Sequence, residues 1–448
     1  MRITGGIAIT FGISAVFFAL YASFSLLEHA RLRTSGYDLG IFHQAVASYA
    51  DFRPPISPLK GADYHLLGDH FHPILATLAP LHRIWPDAGS LLVAQAALIA
   101  LSVLAVGRYA VRTLGAKGHA IAVAYGSSWG LQGLAAFDFH EVAFAVPLLA
   151  FATAALAEER WKAAAAWALP LLLVKEDMGF TVAAVGAYLA WKGRRGLGAG
   201  VAAAGAAAVP LTVLVLIPAF NRTGRYPYSG TELGLTDPVG KAALVGWLLL
   251  LTLGLCLTSP LVLIAVPSLG LRLLSDNPLY WSTGEVHYNA ILMPVLFIAM
   301  TGGLAALRAA RTRPARSPVD LAPYAVLLVA LALLPSTPIG DCSWRADPRA
   351  RAARGLLERI PDGATVAAGN NLVPQLTGRT TVVAFPDPSG RPYDWVALDL
   401  ERRSNTPRTV GEQDAALAEL PGRGFRRLAS SGGVVLFHRP SAANRPAS

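Results

Sequence analysis

Long apolar runs separated by short polar turns fill the first three quarters of the chain. They fall at about 5–27, 91–111, 119–137, 142–157, 162–174, 179–191, 197–218, 241–258, 259–275, 288–307 and 319–337. Crossing about 30 Å of hydrocarbon takes roughly 20 apolar residues in a helix, so the pattern predicts about eleven transmembrane helices, with 162–174 a marginal one. The run at 5–27 follows Met1-Arg2 without a small-residue cleavage site, which predicts a retained span rather than a signal peptide. The Ala- and Gly-rich stretch 202–208 suits close helix approach in lipid, where small residues let backbones touch. Beyond residue 340 the pattern changes. A helix-like 347–360 is followed by short β-rich runs at 365–368, 380–385, 395–399 and 433–438, with a helical stretch at 412–420. That alternation predicts a small α/β domain over 340–448, ending in a disordered 440–448. The expected organisation is a polytopic domain over 1–339, with a long first outer loop at 28–90, and a soluble tail.

Composition sharpens this division. Of the 448 residues 54% are apolar and 15% charged, with mean hydropathy +0.45, whereas soluble domains carry about 25% charged residues. Fifteen Arg and eleven Asp or Glu fall in the 109 residues from Gly340 on, an ordinary soluble density. The net charge of +10 suggests nucleic acid at first sight, but topology explains it. Lys and Arg collect in loops that stay inside. With the N-terminus inside, those loops hold Arg2, Arg108, Arg112, Lys117, Arg160, Lys162, Lys192, Arg194, Arg195, Arg308, Arg311, Arg313 and Arg316. An odd span number then places the tail outside. No nucleic-acid partner is expected, and Cys256 and Cys342 make no disulfide framework.

Four polar constellations map to the outer ends of the runs. The 28–90 loop carries Tyr37-Asp38-Leu39-Gly40 with Gln44, then Gly68-Asp69-His70-Phe71-His72-Pro73. Loops this long are usually functional or disordered, and this one is too aromatic and apolar for disorder. Its stretch 73–85 predicts a helix lying in the interface. Asp138-Phe139-His140-Glu141 and Lys175-Glu176-Asp177 are each squeezed between spans, and Glu285-Val286-His287-Tyr288 opens the span 288–307. Ionisable groups at the edge of hydrocarbon are costly unless paired or hydrated, which makes them functional candidates. Caps, neutralised turns and wetted interface turns are the structural alternatives. His65, Asp69, His70 and His72 offer ligand types that suit a divalent metal, but their spacing matches no signature, and no metal site or cofactor is assigned. Asn221-Arg222-Thr223 fits the glycosylation acceptor pattern and is read as a chance match.

The segments around Tyr37-Asp38-Leu39-Gly40-Ile41-Phe42, Gly68–Pro73, Asp138-Phe139-His140, Lys175-Glu176-Asp177 and His287-Tyr288 together resemble the DUF2079 family of predicted multi-pass membrane proteins. The likeness covers most of the chain, including Ile360-Pro361 and Leu376-Thr377-Gly378-Arg379 in the tail. That family resembles the GT-C glycosyltransferases, integral membrane enzymes that use lipid-phosphate-linked sugars. The resemblance implies a GT-C-like helical fold in the cell membrane, a polyprenyl-phosphate sugar donor, and a glycan, lipid or protein acceptor outside. It places Asp38 where such enzymes keep an acidic residue, just after the first span, although no paired Asp-Asp or Asp-Glu stands here.

Transfer of a sugar to a hydroxyl needs a base for the incoming proton and charge-assisted donors for the departing phosphate. Asp38, Asp138 and Glu176 are the carboxylates assigned to catalysis. Tyr37, Gln44, Asp69, His70, His140, Glu141, Lys175, Asp177, His287 and Tyr288 are assigned to substrate binding. The alternatives are a transporter of a small polar or lipid-linked substrate, its helices broken at Pro170, Pro210, Pro218, Pro260 and Pro267, and a non-catalytic membrane scaffold.

Overall fold

The computed structural model describes residues 2–230, 234, 236–284, 286–310, 318–387 and 389–440. Glu285 and residues 441–448, the end expected to be disordered, lie outside the described residues. The chain forms two compact units. The first comprises Met1–Ala22, Leu67–Ile74 and Ala94–Cys342, and the second Ser23–Leu66, Leu75–Val93 and Ser343–Ser448.

Among the described residues, five helical stretches are long and apolar enough to cross a membrane: Gly6–Ala30, Gly89–Ala136, Arg195–Phe220, His287–Ala309 and Val319–Ser336. Five shorter apolar ones lie at Glu141–Ala157, Trp161–Leu173, Met178–Trp191, Pro238–Leu251 and Pro260–Leu274. Gly89–Ala136 spans 48 residues, far more than one crossing needs at about 1.5 Å per residue. It reverses at Gly115–Lys117, where Gly115 takes φ +65°. Beyond that turn Tyr125 donates a 2.9 Å hydrogen bond to Ser102, and Gln95 donates one of 3.1 Å to the Leu134 carbonyl. The stretch is therefore a helical hairpin, whose two legs are the predicted runs 91–111 and 119–137.

Small residues set a close helix contact in this unit. Met178–Trp191 and Arg195–Leu211 face each other through Gly179 and Gly186 on one side and Gly198 and Gly205 on the other. A Cβ at Gly186 or Gly198 would run into the facing backbone, so the backbones themselves are in contact. The interface reaches to both sides of the predicted 202–208.

The tail supplies a five-stranded sheet to the second unit. Its strands are β1 Thr365–Ala368, β2 Thr381–Ala384, β3 Trp395–Asp399, β4 Arg426–Ser431 and β5 Val434–His438, in the order β2-β1-β3-β5-β4. β1 runs parallel to β2 and β3, while β5 is antiparallel to β3 and β4. Ala367, Val383, Phe385, Val396 and Leu398 form its core with Leu420 and Phe425. The segment predicted to hold an interfacial helix at 73–85 is a 3-10 turn, Pro73–Leu78, continuing into the short helix Ala79–Ile84.

Candidate functional site

In the first unit, five loop segments bring their polar groups together. Lys175 Nζ lies 3.4 Å from Glu141 Oε1, and His140 Nδ1 lies 2.8 Å from Glu141 Oε2. The His140 ring stacks on His287 at 3.6 Å between centroids, and His287 packs against Tyr288 and Phe137. Beside this group His70 Nδ1 meets Glu176 Oε1 at 2.6 Å, while the other Glu176 oxygen accepts the Phe71 amide at 3.2 Å. Of the sequence candidates, Asp69, His70, His140, Glu141, Lys175, Glu176, His287 and Tyr288 are thus tied into two adjoining networks. Lys175 and Glu176, neighbours in the chain, link them.

Each segment is held by residues that the pattern of the sequence did not single out. Gln95 reaches from the hairpin's first leg to the turn at 138–140, donating to the Asp138 carbonyl and accepting the His140 amide at 3.0 Å. That turn carries Asp138 at φ +67°, a left-handed conformation that Asp tolerates better than most residues. Asp138 itself is buried. Arg272 donates to the carbonyls of Tyr280 and Tyr288 at 2.7 and 3.0 Å and to Asn289 Oδ1 at 2.6 Å, fixing the entry of the helix after His287. Gly133 admits this segment, since a Cβ there would stand 2.8 Å from the Val286 carbonyl. Tyr226 donates to Glu176 at 3.0 Å and Tyr228 to Asp69 at 3.1 Å. The Tyr228 ring also lies flat on His70, at 4.6 Å and 5°. The Asn221 amide donates to the Gly68 carbonyl at 2.7 Å, a bond that an attached glycan would compromise.

Charge balance within the cluster follows from these contacts. Burial by itself would raise the Glu176 carboxyl, but His70, through charge and hydrogen bond, and Lys175 outweigh it and hold it down to about 2. Burial disfavours the Lys175 ammonium, yet Glu141, Asp177 and Glu176 around it raise its pKa well above the usual lysine range. Burial lowers His72 to about 4 against the pull of Glu141, Glu176 and Asp69, and lowers His140 as well. Burial also raises the Asp177 carboxyl, and its Oδ1 is buried without a hydrogen-bond partner. An acceptor carboxylate, a charged ammonium and neutral imidazoles are thus assembled at helix ends. Such a set can neutralise an anion and take or give a proton. Among the described residues no group of three or more His, Cys, Asp or Glu is arranged to hold a metal ion.

Tyr37, Asp38 and Gln44 belong to the second unit. Asp38 sits in the turn Gly36–Gly40 before the helix Ile41–Ala50, whose N-cap position is held by Gly40. Its backbone lies at φ 127°, ψ −79°, a region that costs a non-glycine residue about 1–3 kcal/mol and persists only where surroundings impose it. The imposing groups come from the tail. The Gly36 amide donates to the Asn370 carbonyl at 2.8 Å, and the Tyr37 amide to Asn370 Oδ1 at 3.0 Å. Asn370 Nδ2 donates to Ser35 Oγ at 3.0 Å. Gln44 donates to the Val382 carbonyl at 3.0 Å and accepts from Ser57 at 2.8 Å. Asn370 carries no sequence signal, lying 333 residues from Tyr37.

The fold is shared with a solved structure over its full length. The crystal structure of ArnT from Cupriavidus metallidurans bound to undecaprenyl phosphate superposes with a TM-score of 0.60, covering 99% of this chain and 100% of that one at 11% identity. The arabinofuranosyltransferase AftD from Mycobacteria covers 95% of this chain and 40% of its own at 15% identity, with a TM-score of 0.45. No curated protein matches the sequence. Residues 28–436 match the family model described as predicted membrane protein DUF2079. With so much of its length matched, the chain belongs to the DUF2079 family of predicted membrane proteins.

Proposed function

We propose that this protein is a membrane glycosyltransferase that moves a sugar from a polyprenyl-phosphate carrier to a hydroxyl of an extracytoplasmic glycan, lipid or protein. The observation that carries the proposal is the Lys175–Glu141–His140 constellation at the ends of apolar helices, in a chain that follows the ArnT fold from end to end. The undecaprenyl phosphate bound in the ArnT structure supports this choice of donor class. In this proposal the N-terminus lies inside, and the tail, residues 340–448, lies outside.

The chemistry assigns the parts. The acceptor oxygen forms a bond to the anomeric carbon while the bond from that carbon to the phosphate oxygen breaks, its electron pair leaving with the polyprenyl phosphate. The phosphate gains a negative charge as it departs, and the Lys175 ammonium, with imidazoles beside it, suits that charge. The acceptor proton passes to a carboxylate, which we assign to Asp38, half-exposed in its turn. Glu176, held ionised down to about pH 2, is a weak base at neutral pH; its part is to orient His70. In the first unit Asp138, Asp69, Asp177 and Tyr288 provide further polar groups, and in the second unit Tyr37 and Gln44 lie near Asp38 in the chain.

The test uses the full chain, purified into lipid nanodiscs and given undecaprenyl-phosphate-linked sugars, with released undecaprenyl phosphate as the readout. Alongside it, lipid-linked sugars and envelope glycans are compared between a deletion strain and its complement. Asp38→Asn is expected to abolish transfer while the protein still accumulates in the membrane. Retained transfer by that variant removes Asp38 from the mechanism. Unchanged lipid-linked sugars and glycans on deletion, with no release in nanodiscs, overturn the transferase assignment.

A further inference from the structure

We propose that the tail serves as a brace for the Asp38 turn, with Asn370 as the positioning residue that sets the carboxylate. The catalytic half of this inference rests on Asp38 being the base. The structural half stands on geometry within one compact unit. Asn370 occupies the loop just after β1, and from there it uses its backbone carbonyl, its Oδ1 and its Nδ2 on three successive residues, Gly36, Tyr37 and Ser35. Ser35 in turn donates to the Tyr37 carbonyl at 2.6 Å. These bonds hold both peptide groups leading into Asp38.

Packing closes the same brace from the side. A Cβ at Gly36 would stand 2.8 Å from Val373 Cβ, and one at Gly40 would stand 2.9 Å from Val373 Cγ1 and from Leu59 Cδ1. Both ends of the turn therefore lie in direct contact with the short 3-10 turn Val373–Gln375. Two more ties frame it. Gln375 donates to the His29 carbonyl at 2.9 Å, and Gln44 reaches the Val382 carbonyl on β2. The chain invests a segment 333 residues downstream in a turn of five residues whose central member adopts a conformation it would not take alone. A tail that merely recognised an acceptor would have no need to grip this turn.

A misplaced base loses rate without losing substrate affinity, since displacement by about 1 Å is enough to cost on the order of 100-fold. The experiment combines transfer kinetics with hydrogen exchange by mass spectrometry, on full-length Asn370→Ala in nanodiscs. The expected result is faster exchange confined to peptides covering 35–44, together with a kcat lowered roughly 10- to 100-fold and a KM within about twofold of the parent. Ser35→Ala, which removes one strut from the turn's own side, should show the same pattern in smaller degree and serves if Asn370→Ala does not accumulate. Unchanged exchange at 35–44 overturns the brace. Exchange that rises across the whole sheet overturns it too, because Asn370 would then hold only the tail. Loosened exchange with kcat intact overturns the catalytic half. Retained transfer by Asp38→Asn is the separate signature of a wrong base.

Discussion

Glu141 and Lys175 meet at 3.4 Å with the carboxylate almost fully shielded and the ammonium nearly so. The two residues close separate loops of the first unit, so the pair cross-links 138–141 to 175–177. Both desolvation penalties are already incurred, and attraction between the partners offsets them only while both are present.

Breaking this pair from one side should therefore be worse than removing it whole. Glu141→Gln leaves Lys175 buried with less of its compensation, and a loss of about 3–5 kcal/mol is expected for such a change. The double variant Glu141→Gln, Lys175→Met should lose clearly less than the two single losses combined. Unfolding of the four proteins in detergent, followed by denaturant titration, measures the coupling. Additive losses would mean that the two side chains do not sense each other.

Acid should act on the folded chain through its buried imidazoles. His72 is lowered by burial to about 4, and His43, buried next to His82, to about 3. An unfolded histidine takes its proton near 6.5. Between that value and the folded one, the unfolded chain binds protons that the native state refuses. Stability is then complete above about pH 6.5 and falls as the pH drops, by up to about 1.4 kcal/mol per unit for each such histidine, until the folded ring titrates. Glu176 adds to the loss only lower, between about 4.5 and 2. His72→Asn should flatten the dependence of the unfolding midpoint between pH 6.5 and 4. A slope unchanged by the substitution would show that His72 titrates normally in the fold.

The two kinds of information in the sequence had different reach. Apolar runs report burial directly, so the helical body, the hairpin legs and four of the five strands were legible. β4 was not, because Arg426–Ser431 is an exposed, polar edge strand with no alternating apolar face. Lys175, Glu141 and His140 stood out because ionisable groups beside hydrocarbon need a reason to be there. Gln95, Arg272 and Asn370 did not. Each does its work through backbone groups of distant segments, and a polar side chain aimed at a carbonyl leaves no spacing to recognise. Tyr226 and Tyr228 were hidden for a related reason: in a polar loop, a tyrosine that reaches a carboxylate looks like one that faces water. The turn at Asp38 was found, but its brace could not be.

Gln95 offers a sharp test of how the 138–141 turn is built, because its amide faces groups of opposite demand. Its Nε2 donates to the carbonyls of Leu134 and Asp138, and its Oε1 accepts the His140 amide. Gln95→Leu removes all three bonds and leaves a buried amide and two carbonyls without that partner, for which about 1–3 kcal/mol is expected. Gln95→Glu is nearly isosteric and keeps the acceptor for His140. It also turns a carboxylate toward two carbonyl oxygens inside the helical body, where an unpaired charge is costlier than an unmet hydrogen bond. The more conservative substitution should therefore be the more damaging one. Unfolding midpoints of the two variants at pH 8 would reveal the order. Glutamate outperforming leucine would mean that the amide is turned the other way, or that the turn is held by something other than Gln95.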